Sequence, residues 1–329
     1  IEAARDADLI LASTLAYPNA VTASHVHRIP LMLAGLQPFT PTSAFPCALL
    51  PPLRPSFPGS RAYHRLTHHA AFRLLQLTSA RLVNRHRREL TGLPALRYTD
   101  VFGDLIAQRT PVIYGFSEHL LPRPADYGPS VHLTGFWFLE EVSDWEPPPG
   151  LEAFLADGPP PVYVGFGSMS DRRPEETAQS VVEALRRSGR RGILASGWRG
   201  LHMERRHPDF FLLDYAPHAW LFPHAALAVH HAGAGTMAAA LRAGIPQVLV
   251  PFGADQPLWA EMAYRQKVTP RPLSRNRLTP DRLAAAIVQA LYEPSFRRRN
   301  EQVGAAIRAE KGVERAVAVV RSFMKSQPT

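Results

Sequence analysis

Hydrophobic and polar positions follow two regimes along the chain. Up to about residue 140, short apolar runs are separated by long proline-rich or basic stretches. "DADLILAST" (6–14) and "IPLMLAG" (29–35) read as buried strands, "TPVIYGFS" (110–117) as a third, and "VHLTGFWF" (131–138) as an extended segment leading out of a first domain. Between them lies a proline-rich loop, 38–58. In 61–90, Leu66, Ala70, Leu74 and Leu77 recur at helical spacing and predict one long helix or two.

Beyond residue 160 the pattern alternates regularly. "PVYVGFGSM" is a strand and glycine turn, and Pro174–Ser188 a helix with proline in its first turn. "GILASGW" and "DFFLLDYAP" are strands, "HAWLFP" a short helix and "AALAVHH" a strand. Thr236–Ala243 is a helix stopped by Gly244-Ile245-Pro246, "QVLVPF" a strand, and Gln256–Gln266 a helix. Two more helices are expected from about Pro280 and Ser295. Such βα alternation predicts an α/β protein with a parallel sheet covered on both faces. The stiff "EPPPG" (146–150) is the expected linker, dividing the chain into domains 1–146 and 147–329.

Composition narrows the class. The 329 residues, 46% hydrophobic and 20% charged, suit a soluble two-domain protein. Cys47 is the single cysteine, so the expected compartment is reducing, the cytoplasm by default, and a cysteine metal site is not expected. No run of 18 apolar residues predicts a membrane span. The opening "IEAARDADLILAST" has neither the basic start nor the cleavage site of a signal peptide, and reads as a helix end and strand, as if the chain began inside a domain. The net charge of +9 suits phosphate-bearing ligands, anionic membranes or nucleic acid. Residues 61–91 concentrate it: Arg61, Arg65, Arg73, Arg81, Arg85, Arg87 and Arg88 face only Glu89. That stretch is either a solvated helix face or a docking surface.

In an open parallel sheet, ligands bind at the carboxyl ends of strands. The loops to watch are therefore Gly165-Phe-Gly167-Ser168, Ser196-Gly197-Trp198, Tyr215-Ala216-Pro217-His218 and His231-Ala-Gly233-Ala234-Gly235-Thr236. Two glycines before a helix let a ligand approach backbone N–H groups and the positive end of the helix dipole, an arrangement suited to a diphosphate. Tight packing alone also requires glycines there. A dinucleotide fingerprint is not met, since Ser170 stands where the third glycine belongs. Asp255-Gln256 follows the next strand. A carboxylate beside a carboxamide suits sugar hydroxyls, while Asp255 alone is also a good N-cap. Diphosphate plus sugar is a nucleotide sugar.

The stretch HHAGAGT, LRAGIP and PFGADQPLWA (230–260), with "GFGSM", "SGW" and "APHAWLFPHAALAVHH" upstream, resembles the donor signature of family 1 glycosyltransferases of the GT-B fold. It is most similar to the branch of sterol glucosyltransferases and bacterial antibiotic glycosyltransferases. "GLQPFTPTSAFP" (35–46) and "NRHRRELTGLP" (84–94) resemble that branch's acceptor domain. The resemblance implies two Rossmann-like domains facing a cleft, with the C-terminal helices crossing back to the first. It implies an inverting transfer of a hexose, glucose first, from a UDP-sugar to a hydroxyl of a lipophilic acceptor such as a sterol or polyketide. No metal or cofactor is implied, and dTDP is the alternative nucleotide. His231, Gly233, Gly235 and Thr236 would hold the diphosphate, with Gly167 and Ser168 approaching from the first strand, and Ala234 is counted with the donor-binding residues. Trp198 and the backbone near Ala216 and Pro217 would bracket the uracil, Asp255 and Gln256 would bind the hexose hydroxyls, and His218 is counted with the donor-binding residues.

Departures are Ala232 for a usual glycine, a small change, and "YRQKVTP" (264–270) for Leu-Gly-Val-Gly. Ala239 stands where plant relatives carry a ribose-binding glutamate. Asp6-Ala-Asp8 spells a metal-binding string but precedes its strand. Set beside that branch, the chain is expected to lack the first strands of the acceptor domain, with the loop that carries the general base. No base is assigned; Glu118 and the histidines of 64–69 are conceivable substitutes, but unpaired surface roles are the expectation for them. The competing readings are a nucleotide-sugar binder without turnover and a nucleic-acid binder. The second has charge but no recognisable module. A peripheral contact with anionic membrane is the remaining partner expectation.

Overall fold

The computed structural model describes residues 1–50, 58–139, 145–167, 174–195 and 206–327. It divides into two compact units, Ile1–Phe138 with Glu310–Thr329, and Leu139–Ala309.

In the first unit the elements run β1 (Ile10–Ala12), α1 (Tyr17–His27), β2 (Leu31–Gly35), α2 (Ser60–Thr91), α3 (Tyr98–Ile106), β3 (Val112–Tyr114) and β4 (Val131–Leu133). The four strands form a parallel sheet in the order β1-β2-β3-β4. α2 is one helix, not two. The buried Tyr114 hydroxyl hydrogen-bonds the Phe39 and Thr40 backbone N–H groups and the Thr40 hydroxyl, which pins the loop after β2. Asp126 pins the same loop further on, accepting from the Thr42 hydroxyl and the Ser43 N–H. Burial works against its charge, but those donors outweigh it and bring the carboxyl down to about 2. His64 and His68 were expected on the surface. Both are buried, each with one ring nitrogen on a backbone carbonyl, of Ser43 and Phe45 respectively. Their i, i+4 spacing puts both on the inward side of α2.

The second unit contains α4 (Leu151–Ala156), β5 (Val162–Gly165), α5 (Pro174–Arg187), β6 (Gly192–Ala195), β7 (Arg206–His207), β8 (Phe210–Leu213), α6 (His218–Leu221), β9 (Leu227–His230), α7 (Ala234–Ala243), β10 (Gln247–Leu249), α8 (Gln256–Arg265), α9 (Pro280–Tyr292) and α10 (Pro294–Arg308). Its sheet runs β10-β9-β5-β6-β8-β7, parallel except for the short β7. Both faces are covered, which explains the unbroken apolar strands. Val162, Val164, Leu194 and Val229 pack on one side with Val181, Leu185, Leu283 and Ile287 of α5 and α9. Tyr163, Ile193 and Ala228 point the other way, onto Leu151 of α4, Leu221 of α6 and Ala240 of α7.

A final helix, α11 (Gly312–Lys325), belongs to the first unit. The sequence reading has two helices after Pro280; the structure has three, with the break at Ala309–Lys311. Ala316, Val319, Val320 and Phe323 of α11 pack on Met32, Ala34, Ile113 and Trp137. The Glu310 carboxylate accepts from the Ser117 hydroxyl at 2.6 Å and lies 3.4 Å from the Phe136 N–H.

Candidate functional site

Strand order fixes where a ligand crevice opens in the second unit. From β5 the chain winds outward through β6 and β8, then returns to β5's other edge with β9 and β10. The switch therefore lies between β5 and β9, where an open α/β sheet presents its crevice. Gly165 is paired with His230 at that point, so the loops that follow both strands start side by side.

The adjacent histidines divide the work because His230 is the last residue of β9 and His231 the first of the turn that follows. His230 is fully buried. Its Nε2 lies 2.8 Å from Gln247 Oε1, and its Nδ1 accepts the Ala232 N–H at 3.2 Å. This arrangement needs the neutral ring, and burial pushes its pKa down to about 3. His230 thus holds the turn. His231, one residue on, is half-buried and sits against two glycines. A Cβ on Gly167 would lie 3.1 Å from its Cε1, and one on Gly233 only 2.3 Å from its Nε2. Packing therefore explains those two glycines. Its Nδ1 is buried with no well-formed hydrogen bond, although the Gly165 backbone is close enough to favour the charged ring. Burial lowers the pKa of His231, and the nearby Asp255 carboxylate partly offsets this.

Gly235 is different. It lies exposed in the first turn of α7, and a Cβ there would meet no atom of the described residues within 4 Å. α7 opens at Ala234, two residues earlier than the sequence pattern suggested, with Gly233 as N-cap and no side chain filling the cap. Among the described residues no N-cap side chain accepts from the first N–H groups of the helix.

A pocket of about 200 Å3 gathers the strand ends: Gly165 at the end of β5 and Gly167 after it, Ala195 of β6, Ala216, Pro217 and His218 after β8, and Thr236 of α7. Its floor holds a residue that sequence reasoning missed. Tyr163, buried in β5, places its hydroxyl 3.3 Å from His218 Nε2, while the His218 ring stacks on Phe222 with centroids 4.6 Å apart. Burial, with His231 adding to it, pushes His218 down to about 4. The signal was Gly165: a Cβ there would stand 2.2 Å from the Tyr163 hydroxyl.

Asp255 does not cap α8 with its side chain. Its Oδ2 instead accepts the Trp259 indole N–H at 3.0 Å, one helical turn on. Gln256 is buried, and its Oε1 accepts the Phe252 and Gly253 N–H groups. Neither residue lines the pocket described above, although Asp255 acts electrostatically on His231. Ser168 and Trp198 lie outside the described residues. Asp6 and Asp8 precede β1, and no group of three His, Cys, Asp or Glu among the described residues is placed to hold a metal ion.

Comparison with known proteins gives the family. A family profile described as "Erythromycin biosynthesis protein CIII-like, C-terminal domain" matches residues 203–318. A sterol 3-beta-glucosyltransferase of Arabidopsis thaliana is 36% identical over 98% of the chain, but the chain spans only 49% of that relative. O-mycaminosyltylonolide 6-deoxyallosyltransferase of Streptomyces fradiae is also 36% identical, over 98% of the chain and 74% of its own length. The chain belongs to the family 1 glycosyltransferases. Its GT-B fold is shared with the glycotransferase of kitacinnamycin, at a TM-score of 0.68 and 21% identity over 96% of this chain and 76% of that one. It is shared also with Phytolacca americana UGT2, solved with UDP-2fluoro-glucose and pterostilbene, at a TM-score of 0.63 and 15% identity over 96% and 74%.

In this family member the substitution at 232 is not the small change its side chain suggests. Ala232 is buried with φ 65°, a left-handed backbone that disfavours a Cβ. Ala232→Gly is expected to relieve about 1 kcal/mol of strain. A urea midpoint that fails to rise would show that the turn has relaxed around the methyl group.

Proposed function

We propose that the chain transfers a hexose, glucose first, from a UDP-sugar to a hydroxyl of a lipophilic acceptor met at a membrane surface. The observation that carries the donor half is Gly235. Packing does not require it, while an approaching phosphate does. His231, Gly233, Ala234, Gly235 and Thr236 bind the diphosphate, with Gly167 and Ser168 opposite. Trp198, Ala216, Pro217 and His218 bracket the base. Asp255 and the Gln256 amide nitrogen take the hexose hydroxyls. The acceptor half draws on the named relatives, one acting on sterols and one on a tylonolide.

In the reaction the acceptor oxygen attacks the anomeric carbon from the face opposite the diphosphate. The bond from that carbon to the phosphate oxygen breaks, and its electron pair leaves on the nucleotide. The N–H groups at the start of α7, the Thr236 hydroxyl and His231 stand where that charge develops. Fixed donors of this kind stabilise a leaving anion without a metal. The acceptor proton passes to a base that we leave unassigned.

Gly235→Ala separates ligand binding from packing, because the two readings predict opposite signs. A helical alanine with open space around it should raise stability by about 0.5–1 kcal/mol. The same methyl group should weaken UDP binding roughly tenfold, by crowding the helix terminus at which phosphate is expected to bind. Calorimetric titration with UDP and dTDP, alongside urea unfolding, reads both. Unchanged UDP affinity in a more stable variant would overturn the diphosphate assignment.

A further inference from the structure

α2 carries a solvent-facing stripe of divided chemistry. Its inward side holds His68, Phe72, Val83 and Arg87. The opposite side exposes Leu66 at 66%, Leu74 at 61% and Leu77 at 76%, followed by the exposed Arg81, Arg85 and Arg88. Leu66 to Arg88 spans about 33 Å of helix at its standard rise. The seven arginines of this stretch are not equivalent. Arg87 is buried and its Nε donates to the Pro94 carbonyl, Arg65 reaches Asp126 at 3.5 Å, and Arg73 lies over the Tyr98 ring at 3.9 Å. The basic end of the stripe is therefore Arg81, Arg85 and Arg88, with Arg85 sharing Glu89.

We propose that this stripe docks the protein on an anionic lipid surface, Leu66, Leu74 and Leu77 entering the acyl boundary and the three arginines meeting the headgroups. Leucines and guanidiniums on one rod match the two layers of a membrane interface, where apolar burial and headgroup attraction add. A second copy fits poorly. Laid parallel it would set arginines against arginines, and laid antiparallel it would set leucines against them. The proposal deepens the acceptor half of the function above and rests on it only for its purpose, not for its test.

Co-sedimentation of the chain with phosphatidylcholine vesicles, with and without phosphatidylserine, decides it. Binding is expected to be at least roughly tenfold stronger to the anionic vesicles and to weaken with salt. The triple variant Leu66→Gln, Leu74→Gln, Leu77→Gln should lose most of it, and Arg81→Gln, Arg85→Gln, Arg88→Gln should lose its salt dependence. All six side chains are exposed, so both variants should keep the parent circular dichroism and UDP affinity. Equal binding to both vesicles, binding to neither, or anionic binding indifferent to the leucine variant overturns the proposal. So does a dimer, seen by sedimentation, that the leucine variant abolishes. Failure here leaves UDP binding untouched, and loss of UDP binding leaves vesicle docking untouched.

Discussion

Lowering the pH from 7 to 5 at constant ionic strength is expected to destabilise the second unit most. His230 is held at about 3 and His218 at about 4, chiefly by burial, and in the first unit burial holds His68 at about 4. A histidine whose folded pKa lies below its unfolded one adds no penalty above pH 6.5. As the pH falls, the unfolded chain takes up the proton first, and stability is lost until the folded pKa is reached. Between pH 7 and 5 each fully buried ring, His230 and His68, should therefore cost on the order of 2 kcal/mol, and His218 somewhat less because it is partly exposed. Asp126 does not oppose this, since its contribution fades only below the ordinary carboxylate range. Urea midpoints at the two pH values measure the loss, and His230→Gln should reduce the slope in the second unit. Equal midpoints at pH 7 and 5 would mean that these rings gain protons, or water, without unfolding.

Gly312→Ala is expected to detach α11 from the first unit. A Cβ there would lie 2.0 Å from the Phe136 carbonyl oxygen and 3.0 Å from the Gly135 carbonyl carbon. Both are backbone atoms and cannot swing aside as a side-chain end does. The helix must lift, and the contacts of Val319, Val320 and Phe323 with Met32 and Ile113 go with it. Overpacking at such a point costs about 3 kcal/mol. Hydrogen exchange should show protection lost across 313–325. Gly103→Ala in α3, where the nearest atom is 3.9 Å away, is the control and should leave protection unchanged. Retained protection in the Gly312 variant would show that the start of α11 shifts as a rigid piece at little cost.

What was legible in the sequence was what periodicity and punctuation report. Strands of the second unit are apolar on both faces and bounded by glycine or proline, so "PVYVGFG" and "AALAVHH" were unambiguous. α1, α3 and α4 were not. α1 buries Tyr17, Ala20, Val21, Thr22 and Ala23 almost without period, α3 is interrupted by Gly103, and α4 spans six residues. Side-chain partnerships were hidden for a different reason. Nothing in "HHAGAGT" tells which histidine serves the fold, because that depends on which face of β9 meets Gln247 across the β10 pair. Likewise "ADQPLW" gave Asp255 two roles, sugar ligand or helix cap, and the carboxylate holds Trp259. A carboxylate and an indole four residues apart on one helix could have been paired on paper.

The path of the backbone has a practical consequence. Residues 1–138 and 310–329 share one core, so the second unit is topologically an insertion within the first, entered and left at separate points. A chain cut after 309 would lack the side chains that cover Met32 and Ile113. Exchanging the second unit with that of a relative therefore calls for a cassette with two junctions, at 138/139 and 309/310, where a single crossover in the proline linker would strand α11 on a foreign sheet.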